Sequence, residues 1–382
     1  MTDLPTFPAG FLWGAATSAY QIEGSPLADG AGPSNWHRFS HLPGTVANND
    51  NGDHACDHYH RYAEDVGLMR EIGLQGYRFS LAWSRIFPEG RGTPNPKGLD
   101  FYRRLLDRLN EAGIRPNVTL HHWDLPLALE QQGGWANRDC AHWFADYAQH
   151  VFQVLGGQVR QWATLNEPWV IVHAGYVEGA HPPGVVSLEQ ARQATHNLLR
   201  GHALAVQAFR AEGSAGEIGL VVNLEPKYPA SDHEDDLRAT ARMEAWMNRQ
   251  YLDPVFLGRY PEELEEIHGS GLPEFPADDY RLLREPFDFL GINYYSRSVV
   301  RQASGLWPFN SDRVHQAASP HTAMGWEIYP DGLKDCLGWV KQRYGDIPLY
   351  ITENGAACND APPVQGRVSD PDRIAYYRRH LQ

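Results

Sequence analysis

The sequence predicts an α/β protein folded as a (β/α)8 barrel. Three observations predict it. Short apolar, β-rich runs alternate with longer segments of helical period. Seven such runs occur with no low-complexity linker or composition break between them, so the 382 residues read as one domain spanning 1–382. No GxGxxG follows the first run, which removes the main signature of a doubly wound dinucleotide-binding sheet.

The strand runs are Phe11–Thr17, Gly76–Leu81, Pro116–Leu120, Gln161–Leu165, Ile218–Leu224, Phe289–Tyr294 and Pro348–Thr352. Strands that read apolar and are separated by helices belong to a parallel sheet covered by helices. Between them, Asp57–Ile72 carries Tyr62, Val66, Met69 and Ile72 on one helical face, with Asp57 as N-cap and Gly73 as stop. Leu99–Glu111 carries Leu105, Leu106 and Leu109 ahead of Gly113. Ala141–Leu155, Leu188–Glu212, Asp235–Tyr251 and Asp370–Leu381 read the same way.

Composition excludes several classes. With 47 acidic and 33 basic side chains the net charge is −14, which argues against nucleic acid and anionic membranes as partners. No apolar run reaches the roughly 18 residues of a membrane span. The N-terminus lacks a basic n-region and an apolar h-region, so a cytoplasmic location is expected. Cys56, Cys140, Cys336 and Cys358 form no CxxC and no disulfide framework, and read as reduced, buried small hydrophobes. Twelve Trp and 18 Tyr suit a large core or the apolar faces of sugar rings.

In such a barrel the chemistry sits at the C-terminal ends of the strands. Those positions hold Gln21 and Glu23; Arg78; His121, His122, Trp123 and Asp124; Asn166 and Glu167; Asn293, Tyr294 and Tyr295; and Glu353 and Asn354. Glu167 and Glu353 each stand beside an Asn. Glycoside hydrolysis needs two such carboxyls, one protonated and one ionised. Arg78 and a tyrosine such as Tyr295 would favour the ionised form, and an aromatic surrounding such as Trp169 the neutral one. Spacing alone leaves open that both are ordinary carboxylates.

Two segments narrow the reading. Thr164-Leu165-Asn166-Glu167-Pro168 and Ile351-Thr352-Glu353-Asn354-Gly355 resemble the signature motifs of family 1 glycoside hydrolases, the retaining β-glucosidases. Phe11–Gly24 is similar to that family's N-terminal signature, as are Tyr77–Ser80, His122–Pro126 and Phe289–Tyr295, all in the family's order. The resemblance implies that Glu167 is the general acid/base and Glu353 the nucleophile, with Arg78 and Tyr295 positioning Glu353. It implies that Gln21, His122, Trp123 and Asn166 bind the sugar, that Asn293 supports them, and that Trp326 stacks on the aglycone. The partner is then a small β-glycoside or oligosaccharide, and no cofactor or metal is required.

Seven runs are one short of eight. The sequence therefore predicts a barrel truncated after its seventh βα unit, without the tryptophan and glutamate that the family's last loop brings to the sugar, and with weak or absent turnover. Other readings are a 6-phospho-β-glycosidase and a sugar binder without turnover. The stretch from Asp53 to His60 also invites a metal reading, since His54 and His58 at i, i+4 would share a helix face. The acidic stretch Asp232–Asp236 reads as a solvated helix N-terminus.

Overall fold

The computed structural model describes residues 6–213, 215–269 and 274–382. Among them the strands are β1 (Gly14–Ala16), β2 (Gly76–Ser80), β3 (Arg115–His121), β4 (Gln161–Asn166), β5 (Glu217–Asn223), β6 (Lys227–Pro229), β7 (Phe289–Asn293), β8 (Ser298–Gln302), β9 (Ser311–Arg313) and β10 (Leu349–Glu353). All seven runs read from the sequence are strands: β1 to β5, β7 and β10. The chain divides into two compact units. The larger comprises Leu12–Val222 and Glu274–Gly291, and the smaller Met1–Phe11, Asn223–Pro273 and Ile292–Gln382.

In the larger unit the strand order is β1-β2-β3-β4-β5-β7. Neighbours from β1 to β5 are parallel, and the β4–β5 register shifts between Ala163 and Asn166. Strands β2 and β4 are buried at every residue, the polar Arg78, Ser80, Gln161, Thr164 and Asn166 included. Close strand approach fixes two glycines: a Cβ on Gly14 would lie 2.6 Å from the Gly76 carbonyl oxygen, and one on Gly219 would lie 2.3 Å from that of Phe289. Helices Cys140–Leu155 and Leu188–Ala211 pack against each other. The first also presents Tyr147 to Trp83, the rings stacked 4.7 Å apart. Trp83, Trp135, Phe144 and Tyr147 are fully buried, so part of the aromatic content is core.

In the smaller unit β10 follows the end of β7, the Tyr294 amide donating to the Glu353 carbonyl at 3.0 Å. A second sheet, β6-β8-β9, was not legible in the sequence, because β6 and β9 have three residues each and show no alternation. Helix Glu234–Glu244 packs on β6 and β8. The segment read as one helix over Asp235–Tyr251 begins at Glu234, is interrupted by a π turn at Ala245–Arg249, and resumes to Leu257. Asp236 in its first turn accepts from the Gln302 amide at 2.8 Å and from Ser231, so the acidic stretch also ties down β8.

Three local readings are corrected. Asp57 is not a side-chain cap: its backbone is left-handed (φ 53°) and its carboxylate takes His60 Nδ1 at 2.6 Å. His54 precedes the helix that starts at His58, and His58 is buried against Asp65 at 2.6 Å, so the two histidines share no helix face. Cys140 and Cys336 are buried, but Cys56 is exposed and Cys358 half-buried.

Candidate active site

The larger unit carries five predicted site residues on the ends of β2, β3 and β4. Arg78 lies within β2 and is 4% exposed. Its Nε donates to Thr119 Oγ1 at 3.0 Å and its Nη2 to Asn166 Oδ1 at 2.6 Å. The other end of the same amide, Asn166 Nδ2, lies 3.2 Å from His122 Nε2. Asn166 Nδ2 can only donate, so His122 Nε2 accepts and the ring proton sits on Nδ1. Trp123 Nε1 donates to the Asn166 carbonyl at 3.1 Å. Asn166 is thus held at three points while fully buried.

Glu167 follows immediately. Its backbone is left-handed, φ 48° and ψ 65°, and Trp123 also has a positive φ of 77°. Positive φ in a bulky non-glycine residue costs on the order of 1–3 kcal/mol and collects at functional sites. The surroundings hold it: the Glu167 amide donates to Val221 O at 2.9 Å, and its carbonyl accepts from Val170 at the start of helix Pro168–Val172. Pro168 at the first helical position fits a chain that must leave β4 abruptly. The carboxyl-bearing residue is 5% exposed.

Gln21 stands apart from this group of bonds, exposed on the turn Ala19–Ile22, where Ser18 Oγ donates to its Oε1 at 2.7 Å. Glu23, at the end of the same run, is structural. It is buried, with its Oε2 taking Arg85 Nη2 at 2.9 Å and its Oε1 taking the Tyr102 hydroxyl at 2.8 Å. Asp124 is buried, and burial holds its carboxyl well above the ordinary range. Two further aromatic residues escaped the sequence reading: His181 packs against Trp123 at 5.9 Å and edge-on to Trp36 at 4.8 Å. No motif in the sequence marks that pair.

The smaller unit carries Asn293, Tyr295, Trp326 and Glu353. Tyr295 donates its hydroxyl to Glu353 Oε2 at 2.5 Å. Asn293 is buried and accepts from Thr352 Oγ1 at 2.7 Å, one residue before Glu353. Asn354 donates to the Tyr294 carbonyl at 2.8 Å and lies 2.9 Å from the Tyr376 hydroxyl. Trp326 stands 38% exposed, edge-on to Tyr295 at 5.4 Å. Its neighbour Glu327 is buried and holds Arg297 through two bonds of 3.0 Å, anchoring the loop that presents the indole. The Glu327–Arg297 pair has no sequence signal, since the partners lie 30 residues apart.

The family model for glycosyl hydrolase family 1 matches residues 4–382. The chain is 49% identical to "Beta-glucosidase A" of Thermotoga maritima, over 99% of this chain and 85% of that protein. It is 48% identical to a "1,4-beta-D-glucan glucohydrolase" of Thermotoga neapolitana, over 98% of this chain and 88% of that protein. The solved family 1 β-glucosidase from Thermotoga maritima superposes with a TM-score of 0.95 at 48% identity, covering 99% of this chain and 85% of that one. The same enzyme in complex with deoxynojirimycin gives 0.94 at 49%, over 98% and 84%. The fold is therefore the predicted (β/α)8 barrel. The family match runs along the chain to residue 382, and the chain covers 85% of the length of the Thermotoga maritima relative.

Proposed function

The chain belongs to glycosyl hydrolase family 1 and is a β-glucosidase; we propose that it releases terminal β-D-glucosyl residues from small β-glucosides and cello-oligosaccharides with retention of configuration. The observation that carries the site assignment is the Asn166–Glu167 corner. A fully buried amide is fixed by Arg78 and His122, and the next residue is turned to a positive φ at the end of a buried strand. An ordinary surface carboxylate would not need that support.

In this reading Glu353 is the nucleophile. Its carboxylate attacks the anomeric carbon, the glycosidic C–O bond breaks, and the protonated Glu167 delivers its proton to the departing oxygen. A covalent glycosyl-enzyme results. Glu167, now ionised, takes a proton from water as the water oxygen attacks the same carbon. Glu353 leaves as carboxylate, and two inversions give net retention. Tyr295 favours the ionised form of Glu353 by donating to it, and the family resemblance gives Arg78 a part in positioning the same carboxylate. Asn166 and His122 receive the sugar hydroxyls with Gln21 and Trp123. Asn293 supports that surface, and Trp326 stacks on the aglycone. The exposure of the Trp326 indole supports its part, since a stacking wall must be open to the ligand.

The test is turnover of p-nitrophenyl β-D-glucoside by the wild-type chain and by Glu353→Gln, with the anomer of the first-formed sugar read by NMR. Activity lost in the variant and β-glucose as first product are expected. α-Glucose as first product would exclude the covalent route.

A further inference from the structure

We propose that His37, His41 and Asp53 form a binding site for a divalent transition-metal ion of the zinc class, separate from the glycosidase chemistry. His37 lies in helix Asn35–Ser40, His41 is the residue that ends it, and Asp53 comes from the following loop. One ligand atom from each, His37 Nδ1, His41 Nε2 and a carboxylate oxygen of Asp53, lie within 4.8 Å of one another. Asp53 Oδ1 is 3.5 Å from His37 Nδ1, and Asp53 Oδ2 is 3.0 Å from His41 Nε2. Zinc at about 2.0–2.1 Å from tetrahedral ligands puts those ligands about 3.4 Å apart. The two Asp–His separations, one to each carboxylate oxygen, are close to that value, and every pair of the three ligand atoms lies within 4.8 Å.

The second line of evidence is in the rings themselves. His41 Nδ1 lies 2.6 Å from the His37 carbonyl oxygen, which can only accept, so the Nδ1 proton is spent there. His41 Nε2 faces the cluster and, without an ion, donates to Asp53 Oδ2 at 3.0 Å; a metal would displace that proton and take the lone pair. A metal-binding histidine is oriented this way by donating its other N–H to a backbone carbonyl. His37 Nδ1 is buried and has no hydrogen-bond partner. A buried nitrogen without a partner calls for one, and a cation is the partner that also suits a carboxylate and a second imidazole.

The scaffold is rigid on both sides. The helix is capped by Ser34, whose Oγ accepts from the His37 amide, and is anchored by the Asn35 amide on Leu125 O at 2.8 Å. Asp53 is set by the Ser25 amide on its carbonyl at 2.8 Å and by Asn51 Oδ1 on its own amide. The Asp53 and His41 side chains are 49% and 40% exposed, which leaves an entry path and an open coordination position for water. Two imidazoles with one carboxylate suit zinc, nickel or copper and not magnesium or calcium.

A bound ion would join the two segments that grip Tyr20. The Tyr20 hydroxyl is 2.7 Å from Ser40 Oγ, on the helix side, and accepts from the Gly52 amide at 3.3 Å, on the loop side. Gln21 is the next residue. The ion would therefore brace the turn that presents Gln21.

The experiment titrates Zn²⁺ into untagged, chelator-stripped full-length protein by calorimetry, with Co²⁺ as spectroscopic probe. One equivalent of tight binding is expected, with the visible absorption of a four- or five-coordinate cobalt ion and a Tm that rises with free Zn²⁺. His37→Asn, His41→Ala and Asp53→Asn should each weaken binding at least tenfold while p-nitrophenyl β-D-glucoside turnover at saturating substrate persists. Crystals soaked in Zn²⁺ give a readout that does not depend on the variants folding: an anomalous peak between the three side chains is expected. No binding at about 100 µM Zn²⁺, equal binding in all three variants, or a peak only elsewhere would overturn the proposal.

Discussion

Two strands end in the same pair of residue types and hold them by opposite means. Strand β4 is buried along its whole length and delivers Asn166 and Glu167 through backbone geometry and a caged amide. Strand β10 is half exposed, with Ile351 41% open, and delivers Glu353 and Asn354 through side-chain hydrogen bonds from Tyr295, Thr352 and Asn354. In the proposed chemistry the acid/base at β4 must move a proton twice without moving itself, which a rigid backbone corner suits. The nucleophile at β10 must reach the anomeric carbon and release it, and there the charge is tuned by a hydroxyl.

The largest test of this division is removal of each carboxyl. Glu353→Gln is expected to lower kcat by about 10⁴-fold or more for every substrate, about 5.5 kcal/mol of barrel-bound transition-state stabilisation. Glu167→Gln should cost about 10²–10⁴-fold with a poor leaving group and far less in the first step with dinitrophenolate, which departs without a proton. Values of kcat/KM, which report the first chemical step, check this across a leaving-group series. A loss independent of the leaving group in Glu167→Gln would break the assignment.

Packing differs in the same sense. Leu165 on β4 is fully buried, so Leu165→Ala should destabilise by about 2–5 kcal/mol. Ile351→Ala on β10 should cost about 1 kcal/mol or less, because much of that side chain already meets water. Urea unfolding of the pair measures both, and equal costs would mean that β10 is as buried in solution as β4. Next in size is Tyr295→Phe. A hydrogen bond to a charged group is worth about 1.5–3 kcal/mol, so kcat should fall about 10- to 100-fold if the bond acts in the transition state. A change in KM with kcat intact would assign Tyr295 to binding instead.

What could be read from the sequence follows the same contrast. The buried strands and helices were legible because burial imposes a run or a period: Gln161–Leu165 was read within one residue of β4, and Ala141–Leu155 within one of its helix. Glu167, Glu353 and Tyr295 stood out because they sit beside those runs. What was not legible depends on contacts between distant residues. Arg297 with Glu327, His181 with Trp36 and Trp123, and Thr352 with Asn293 carry no local pattern. Asp53 was noticed, but with the wrong histidines, since the i, i+4 rule assumes a helix that begins only at His58. The β6-β8-β9 sheet was missed because short strands signal themselves by pairing and not by composition.

The last test concerns the back of β4. Thr164 Oγ1 lies 2.7 Å from His202 Nδ1, and both residues are fully buried. Burial pushes the His202 imidazole down to about 3. Its folded value lies below the ordinary 6.5, so the folded state refuses a proton that the unfolded chain accepts. Stability from this group is complete above pH 6.5 and is lost as the pH falls toward 3. At pH 5 the loss is about 2 kcal/mol relative to pH 8. His202→Gln keeps a partner for Thr164 and does not titrate, so its own pH 8 to pH 5 decline in urea unfolding should be shallower by that amount. His121 and His196, pushed down by burial to about 3 and about 4, leave a residual slope in the variant. A decline of unchanged depth would mean that water reaches His202 and that β4 is less sealed than Glu167 requires.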